Sequence, residues 1–258
     1  MGRLNRPFGN LSVIILKKKM ELRSILILQG FNISKLCIML IQSNKVKEIL
    51  DFYKIKVTGV FHLGAHECEE MPFYNSLGVT NDNVIWLDAM EDKVKQATQR
   101  GIPNVYHAVV SDVDDAMVTF NISNNGQSSS LLEFGTHATE HPHVVYIDKI
   151  TQKSITINTF VQRNLVNMSW CNLWNFDIQG AELIALKGAT KYIHHAEAIY
   201  LEVNEKELYK GCGLITDIDD FLAQYNFKRV ITNMTEHGWG DALYINANRP
   251  NNKYNMVF

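Results

Sequence analysis

The sequence predicts a doubly wound α/β fold built on a mostly parallel sheet of seven strands. From about residue 44, short apolar segments alternate with amphipathic ones at the spacing of βαβ units, and several of the apolar segments end in a glycine or a carboxylate. The 258 residues, 46% of them hydrophobic, suffice for one large domain with a sizeable core. We therefore expect this domain over residues 44–258, preceded by an N-terminal helical extension over residues 1–43.

The first half of the domain predicts three strands separated by helices. A helix capped at Ser43 or Asn44 places its apolar residues on one face as far as Tyr53. Strands are expected over 57–63, 83–87 and 104–110, and helices over 69–77 and 91–100.

The middle of the sequence differs, and regular order then returns. A strand at 116–122 is followed by a polar loop at 123–130 and a histidine-rich loop at 137–143. Further strands are expected over 154–157, 171–176, 198–201, 228–232 and 241–245, and helices over 159–165, 181–187 and 215–225.

The net charge and the spacing of the cysteines argue against some classes of function. The formal net charge is −2, so nucleic acid is not expected as a partner. The cysteines are widely spaced and form no CxxC pair, which argues against a zinc site or a disulfide scaffold and favours a reducing, cytoplasmic location.

The N-terminal segment contains a long apolar stretch from Ser24 to Gln42 that is interrupted by amides and by Lys35. Such groups are costly in hydrocarbon, so we favour an extension that packs on the domain over a membrane anchor, and we expect no stable membrane insertion. The stretch also lacks the cleavage site of a signal peptide. Met20 remains an alternative start.

The ends of the predicted strands carry the candidate site residues, because ligands of such folds lie beyond these ends. Gly64 permits a sharp turn, and the next helix would offer free N–H groups to a carboxylate. Asp88, followed by Ala89, could accept both hydroxyls of a ribose or could merely cap a helix. Ser111 and Asp112 could lie at the rim of an adenine pocket or could simply form a turn.

The most specific segment is NFDIQGAELIALKGA at residues 175–189, in which a buried strand leads into Asp177. Gly180 permits close approach, so Asp177 is expected at the mouth of the cleft, where a reacting hydroxyl could lie. Glu202, which follows another apolar strand, points to the same edge of the sheet.

These motifs together resemble the FkbM family of methyltransferases from about residue 57 to residue 245. The first family motif, GAHxGEE, is matched by residues 64–66, 69 and 70, with Cys68 in place of its second glycine. The signature D-[VI]-[EQ]-G-A-E is matched by residues 177–182 and is followed by LKG at 186–188. The segments SSSLL (128–132), LEVN (201–204) and HGWGDALY (237–244) are also similar to one branch of the family.

The resemblance implies a class I, Rossmann-like methyltransferase fold, S-adenosylmethionine as cofactor and methyl transfer to oxygen. We expect a sugar, glycan or other polyhydroxylated small molecule as acceptor, and functional pairing with a glycosyltransferase. Asp177, Glu202 and His66 are the candidate catalytic residues. The candidate cofactor-binding residues are Gly64, Ala65, His66, Glu70, Asp88, Ala89, Ser111, Asp112 and Asp177.

Three alternatives were weighed. A methyltransferase-fold module without catalytic activity would serve in binding or scaffolding, but the presence of Asp177 and Glu182 favours an enzyme. A nicotinamide oxidoreductase would require GxGxxG, which is absent from the first loop. His137, His141 and His143 suggest a metal site, but their loop lacks a helical i, i+4 frame, so we expect no metal and favour a lid that faces the substrate.

Overall fold

The structure is a computed structural model that describes residues 39–248. The chain divides into two compact units, Met1–Ile38 and Met39–Phe258, and everything below concerns the described part of the second. Most of the expected N-terminal extension, including the apolar stretch from Ser24, thus lies outside the described residues. Within residues 39–248, no helix combines the length and apolarity that crossing a membrane requires.

The core of the fold is a seven-stranded sheet in the order β3-β2-β1-β7-β8-β10-β9. Its strands are Val60–Leu63 (β1), Val84–Asp88 (β2), Val105–His107 (β3), Leu173–Phe176 (β7), Ala198–Asn204 (β8), Phe227–Met234 (β9) and Trp239–Asn246 (β10). The first five strands in that order run parallel, and β10 is antiparallel to both β8 and β9. The prediction of seven mostly parallel strands is confirmed.

A smaller sheet and seven α-helices complete the architecture. Strands Val109–Val110 (β4), Met117–Ser123 (β5) and Tyr146–Ile155 (β6) form a three-stranded sheet in the order β4-β6-β5. The helices are Ser43–Phe52 (α1), Met71–Ser76 (α2), Glu91–Gln99 (α3), His137–Glu140 (α4), Ile157–Arg163 (α5), Glu182–Lys187 (α6) and Ile215–Ala223 (α7).

The central strands are buried on both faces, as parallel strands covered by helices should be. Every residue of β1, β7 and β8 is buried. Phe61 and Leu63 pack into one hydrophobic cluster with Trp174, whereas Val60 packs into a second cluster with Trp86. The alternation along β1 therefore supplies both faces of the sheet.

The order of the strands reverses between β1 and β7, which are paired in parallel from Val60 opposite Leu173 to Leu63 opposite Phe176. From β1 the chain winds outward through β2 to β3, and from β7 it winds the other way. Such a switch point opens a crevice at the carboxyl ends of the strands. The fold thus brings Gly64 and Asp177, the residues that follow β1 and β7, to the same crevice.

The third predicted strand, at 104–110, is wrong as one element. It breaks at Ala108, whose N–H donates to the carbonyl of Asp88 at 2.9 Å. The part before the break pairs with β2, and Val109–Val110 pairs with β6 in the smaller sheet. An apolar run shared by two sheets looks the same in sequence as a single strand, which explains the error.

The strand expected at 154–157 is much longer than predicted. Strand β6 starts at Tyr146 and forms an antiparallel hairpin with β5. Most of its ten residues are exposed or half-buried, so it lacks the apolar signal by which strands are recognised in sequence. The histidine-rich loop also differs from expectation, because it opens with the short helix α4.

The packed chain starts before the predicted domain boundary at residue 44. The side chain of Ile41 is buried in the cluster that contains Val46 and Leu50. The N–H of Leu40 donates to Oδ2 of Asp241 at 2.7 Å, and its carbonyl accepts from Nδ2 of Asn233. Residues 40–43 therefore pack as part of the domain.

Candidate active site

A cavity of about 620 Å³ lies at the switch point of the main sheet. Its wall includes Gly64 and His66 after β1, Asp88 and Ala89 at the end of β2, and Asp177 after β7. Five of the sequence-predicted site residues thus meet in one place.

The first turn, residues 64–70, is tightly wound. A Cβ at Gly64 would lie 1.9 Å from the carbonyl oxygen of Asp177, so only glycine lets the turns after β1 and β7 touch. His66 and Cys68 both have positive φ, at 40° and 57°. Cys68 therefore adopts the backbone conformation for which the glycine of the family motif is suited.

The amides of this turn are used internally. The N–H groups of Gly64 and Ala65 both donate to the carbonyl of Leu87, at 2.9 and 3.0 Å. Ala65 is buried, and neither it nor Glu70 contributes to the cavity wall formed by the described residues. The Gly64 and Ala65 amides therefore bind the end of β2 and are not directed at the cavity, whereas free N–H groups were expected at the start of the next helix.

Asp88 is held rigidly at the end of β2. Its Oδ2 accepts the N–H of His66 and its Oδ1 accepts the N–H of Met90, both at 2.7 Å. Burial raises the pKa of Asp88, and the two amide donors counteract this effect. Each carboxylate oxygen retains a lone pair, so Asp88 can cap this turn and still accept further hydrogen bonds from a ligand.

The third strand end contributes apolar residues instead of the polar ones expected. Ala108, Val109 and Val110 line the cavity, whereas Ser111 and Asp112 do not belong to the wall of described residues. The hydroxyl of Ser111 donates to the Asp112 carboxylate at 3.2 Å. At Ala108 the chain leaves the main sheet for the smaller one, so Ser111 and Asp112 lie outside the described cavity wall.

Asp177 and Glu202 are joined by Gln179. The Nε2 group of Gln179 donates to Oδ1 of Asp177 at 2.7 Å and to Oε2 of Glu202 at 2.8 Å. Its Oε1 accepts from the hydroxyl of Tyr209 at 2.6 Å. The two candidate acids are thus adjacent, and the amide that connects them was not singled out from the sequence.

The two acids have different surroundings. Asp177 is exposed to the open cavity, whereas Glu202 is buried and does not line it among the described residues. Burial raises the pKa of Glu202 well above its ordinary value, and the nearby Asp177 charge raises it further. Displacement of water by surrounding protein raises the pKa of Asp177 too, and the Gln179 donor lowers it.

Glu182, the last acid of the signature, is structural. It is 1% exposed, and its Oε1 accepts the N–H groups of Ile178 at 2.9 Å and Gly180 at 3.3 Å. Burial raises its pKa to about 8. Its position at the start of α6 therefore fixes the turn that presents Asp177 and Gln179.

A buried polar network behind the first turn was also missed. The Nδ2 group of Asn175 donates to the Tyr74 hydroxyl at 2.7 Å, and that hydroxyl lies 2.6 Å from Nδ1 of His62. The tyrosine proton must then go to His62, whose Nε2 faces the carbonyl of Gly64 at 3.2 Å. Burial lowers the pKa of His62 to about 4, so His62 is a neutral structural residue.

His66 lies between the first turn and the polar loop. Its Nδ1 is 2.9 Å from Oε1 of Glu69, and its Nε2 would lie 3.6 Å from a Cβ at Gly126. The same loop places Gln127 and Ser129 on the cavity wall. The loop thus contributes the Gln127 amide to the cavity, whereas the Ser129 hydroxyl donates to the carbonyl of Gly126 within the loop.

The histidine-rich segment forms a separate cluster. The His137 ring stacks on Phe134 at a centroid distance of 4.2 Å, and His141 lies 4.9 Å from both His137 and His237. Glu140 accepts hydrogen bonds from Lys206 and His237. No group of three or more potential ligands within residues 39–248 is arranged to hold a metal ion. None of the expected lid histidines (137, 141 and 143) belongs to the described cavity wall.

The chain is similar to three solved structures of methyltransferases. Magnesium protoporphyrin IX methyltransferase from Synechocystis, solved with bound S-adenosylmethionine, is 12% identical, with a TM-score of 0.39 over 79% of this chain and 78% of that one. An S-adenosylmethionine-dependent methyltransferase from Clostridium acetobutylicum is 8% identical, with a TM-score of 0.41 over 90% and 98%. Another from Aquifex aeolicus is 11% identical, with a TM-score of 0.35 over 78% and 88%.

Sequence comparison identifies the family. No curated protein matches the chain significantly. The methyltransferase FkbM domain, however, matches residues 48–229, which is most of the chain and includes β1 to β8 and the cavity between them. The chain therefore belongs to the FkbM methyltransferase family, which is S-adenosylmethionine-dependent.

Proposed function

We propose that the protein transfers a methyl group from S-adenosylmethionine to a hydroxyl oxygen of a sugar, a glycan or another polyhydroxylated small molecule. One observation carries this proposal. The Asp177 carboxylate faces the same cavity as Asp88 and is held there by a hydrogen bond from Gln179. A fixed, solvent-facing carboxylate is what a reacting hydroxyl requires as a proton acceptor.

The residues of the cavity fit the methyl donor. The Asp88 carboxylate has lone pairs available for the ribose hydroxyls, since each oxygen is used by one amide only. Leu87, Val109 and Phe120 give the neighbouring wall an apolar surface suited to an adenine ring. Gly64 and Ala89 complete this side without bulky side chains.

The chain's own contribution to the reaction is positioning and proton transfer. When bound, S-adenosylmethionine supplies a methyl group that is activated by its positive sulfur and leaves a neutral thioether. Asp177 orients the acceptor hydroxyl and takes its proton as the oxygen becomes an ether oxygen. The raised pKa of Asp177, caused by displaced water, makes it a stronger base once ionised.

The polar loop supports a hydroxyl-rich acceptor. Gln127 lines the same cavity as Asp177, and a neutral amide of this kind can donate to and accept from the hydroxyls of a sugar. Functional pairing with a glycosyltransferase, which would make the acceptor, stays a prediction.

A screen for methyl transfer tests the proposal. The full chain is incubated with S-adenosylmethionine carrying a labelled methyl group and with separate panels of monosaccharides, glycolipids and polyketide alcohols. We expect one product heavier by one methyl group, with the label on oxygen by NMR. Cofactor binding without transfer to any hydroxyl, or transfer to nitrogen or carbon, would contradict the proposal.

A further inference from the structure

We infer that Gln179 is a positioning residue that holds Asp177 and Glu202 together as an unequal pair, with Asp177 ionised toward the cavity and Glu202 protonated behind it. This inference rests on the proposed function and deepens it, because it assigns the base of the reaction to one acid of the two. It follows from the contacts of a single amide group.

The contact with Tyr209 fixes the orientation of the Gln179 side-chain amide. Tyr209 is fully buried, and its hydroxyl proton goes to Oε1 of Gln179. The NH₂ group must therefore face the two acids, and it has one hydrogen for each of them. A neutral group with two donors brings the acids together without adding a charge to the site.

The backbone at this point is held in an uncommon conformation. Gln179 has a φ of 56° and Gly180 follows with a φ of 94°. A Cβ on Gly180 would lie 2.9 Å from the ring of Tyr209, so the turn is pressed against the residue that orients the amide. A left-handed conformation costs about 1 kcal/mol or more for a residue other than glycine, and such strain concentrates at functional sites.

Asp177 and Glu202 differ in protonation because their surroundings differ. Asp177 lies in the open cavity, where water still reaches its carboxylate although the surrounding protein displaces part of its hydration. Glu202 is 6% exposed, and its Oε1 has no hydrogen-bond partner among the described residues. Asp241 lies directly opposite on β10. Asp177 and Glu182 are the other acids that act on it. A buried carboxylate with an unpaired oxygen near three other acids is far costlier than a carboxylic acid.

Because their surroundings differ, the two acids take different roles: the ionised one can act as the base, and the protonated one stays neutral. Gln179 donates to both acids, and each donor is stronger toward an ionised oxygen. It therefore stabilises the charge on whichever acid the surroundings leave ionised, which is Asp177. A glutamate at this position would remove both donors and add a third acid. The glutamine therefore maintains one negative charge, at the cavity surface.

The test is a titration of both carboxyl groups by ¹³C NMR on the full chain, assigned with Asp177→Asn and Glu202→Gln. We expect Asp177 to titrate at the lower pH and Glu202 at the higher pH. In Gln179→Met, loss of the donor should raise the midpoint of Asp177 by about one to two pH units. Tyr209→Phe, which only frees the amide, should give a smaller change in the same direction. Gln162→Met, at an exposed position of α5, is the matched control and should change neither midpoint.

The outcomes separate this inference from the proposed function, because the titration needs no acceptor. Unchanged midpoints in both Gln179→Met and Tyr209→Phe, or a Glu202 that ionises before Asp177, would overturn the inference even if methyl transfer occurs. Where transfer is measured, the acid limb of the rate profile of Gln179→Met should move to higher pH with the Asp177 midpoint. A purely structural glutamine would lower stability and leave that limb in place.

Discussion

At the scale of single residues, Asp88 combines two tasks. It fixes the first turn through the amides of His66 and Met90, and it faces the cavity where the proposal places the ribose. Substitutions at this position should therefore affect both folding and ligand affinity.

Asp88→Ala should weaken S-adenosylmethionine binding by about 1–3 kcal/mol through lost hydrogen bonds to a charged group. Isothermal titration calorimetry measures this loss, and thermal unfolding shows how much stability the turn loses. Asp92→Ala, an exposed acid on α3, is the control. If affinity is unchanged in Asp88→Ala, the donor does not bind as proposed.

Asp177→Asn preserves size and most hydrogen bonding but removes the charge. If Asp177 is the base, turnover should fall by about 10²–10⁴-fold while cofactor affinity stays near that of the wild type. Asp220→Asn, on the exposed side of α7, should leave both unchanged. Transfer at the normal rate in Asp177→Asn would redirect attention to Glu202 and His66.

The sequence could predict Gly64, Asp88 and Asp177 because each directly follows an apolar strand, and parallel strands end at a common edge. It could not predict the role of Gln179. That role depends on Tyr209, which lies 30 positions later in the chain, and on a turn pressed against the tyrosine ring. The loss of Ser111 and Asp112 from the wall was equally hidden, because it follows from a change of sheet at Ala108.

At the scale of elements, the start of α6 depends on a buried acid. Burial raises the pKa of Glu182 to about 8 in the folded chain, from an ordinary value of 4.5. A raised carboxyl pKa favours folding while the group is protonated, so its contribution is fully present below about pH 4.5 and is lost as the pH rises toward 8.

Glu182→Gln keeps an acceptor for Ile178 and Gly180 but cannot ionise. The free energy of unfolding should therefore decrease less between pH 5 and pH 8 in this variant than in the wild type. Urea denaturation at both pH values measures the difference, and Glu205→Gln, an exposed acid, should match the wild type. Equal pH dependence in all three proteins would show that Glu182 is ionised in the fold.

Helices and strands could be predicted from the sequence where their apolar residues recur at a regular period, as in α7, or form a continuous run, as in β1 and β7. Strand β6 was not, because its polar residues pair with β5 through the backbone and bury little. Such a hairpin is held by main-chain hydrogen bonds, so its sequence shows no hydrophobic pattern that would predict it.

At the scale of the whole molecule, the domain boundary can be tested by truncation. A chain that begins at Met39 should fold and bind S-adenosylmethionine, because all the cavity residues lie after it. A chain that begins at residue 44 loses the burial of Ile41 and the hydrogen bond from Leu40 to Asp241. It should be less stable by roughly 2–4 kcal/mol.

Chemical denaturation of the two truncated chains measures that difference, and calorimetry reports cofactor binding by each. Equal stabilities would place the boundary where the sequence alone put it. Aggregation of the longer chain would show instead that residues before Met39 belong to the folded unit.

Hydrogen bonds between Asn121 and Ser130 close the base of the polar loop. Asn121 and Ser130 exchange backbone hydrogen bonds at 2.8 and 3.0 Å, and the Ser130 hydroxyl binds the carbonyl of Gln179 at 2.7 Å. The eight residues 122–129 therefore leave and re-enter the fold between these two paired residues. If the acceptor binds beside this segment as proposed, exchanging residues 122–129 should change the acceptor preference and leave the strand-end residues in place, because loops vary without altering the fold. The segment would then act as a replaceable specificity module.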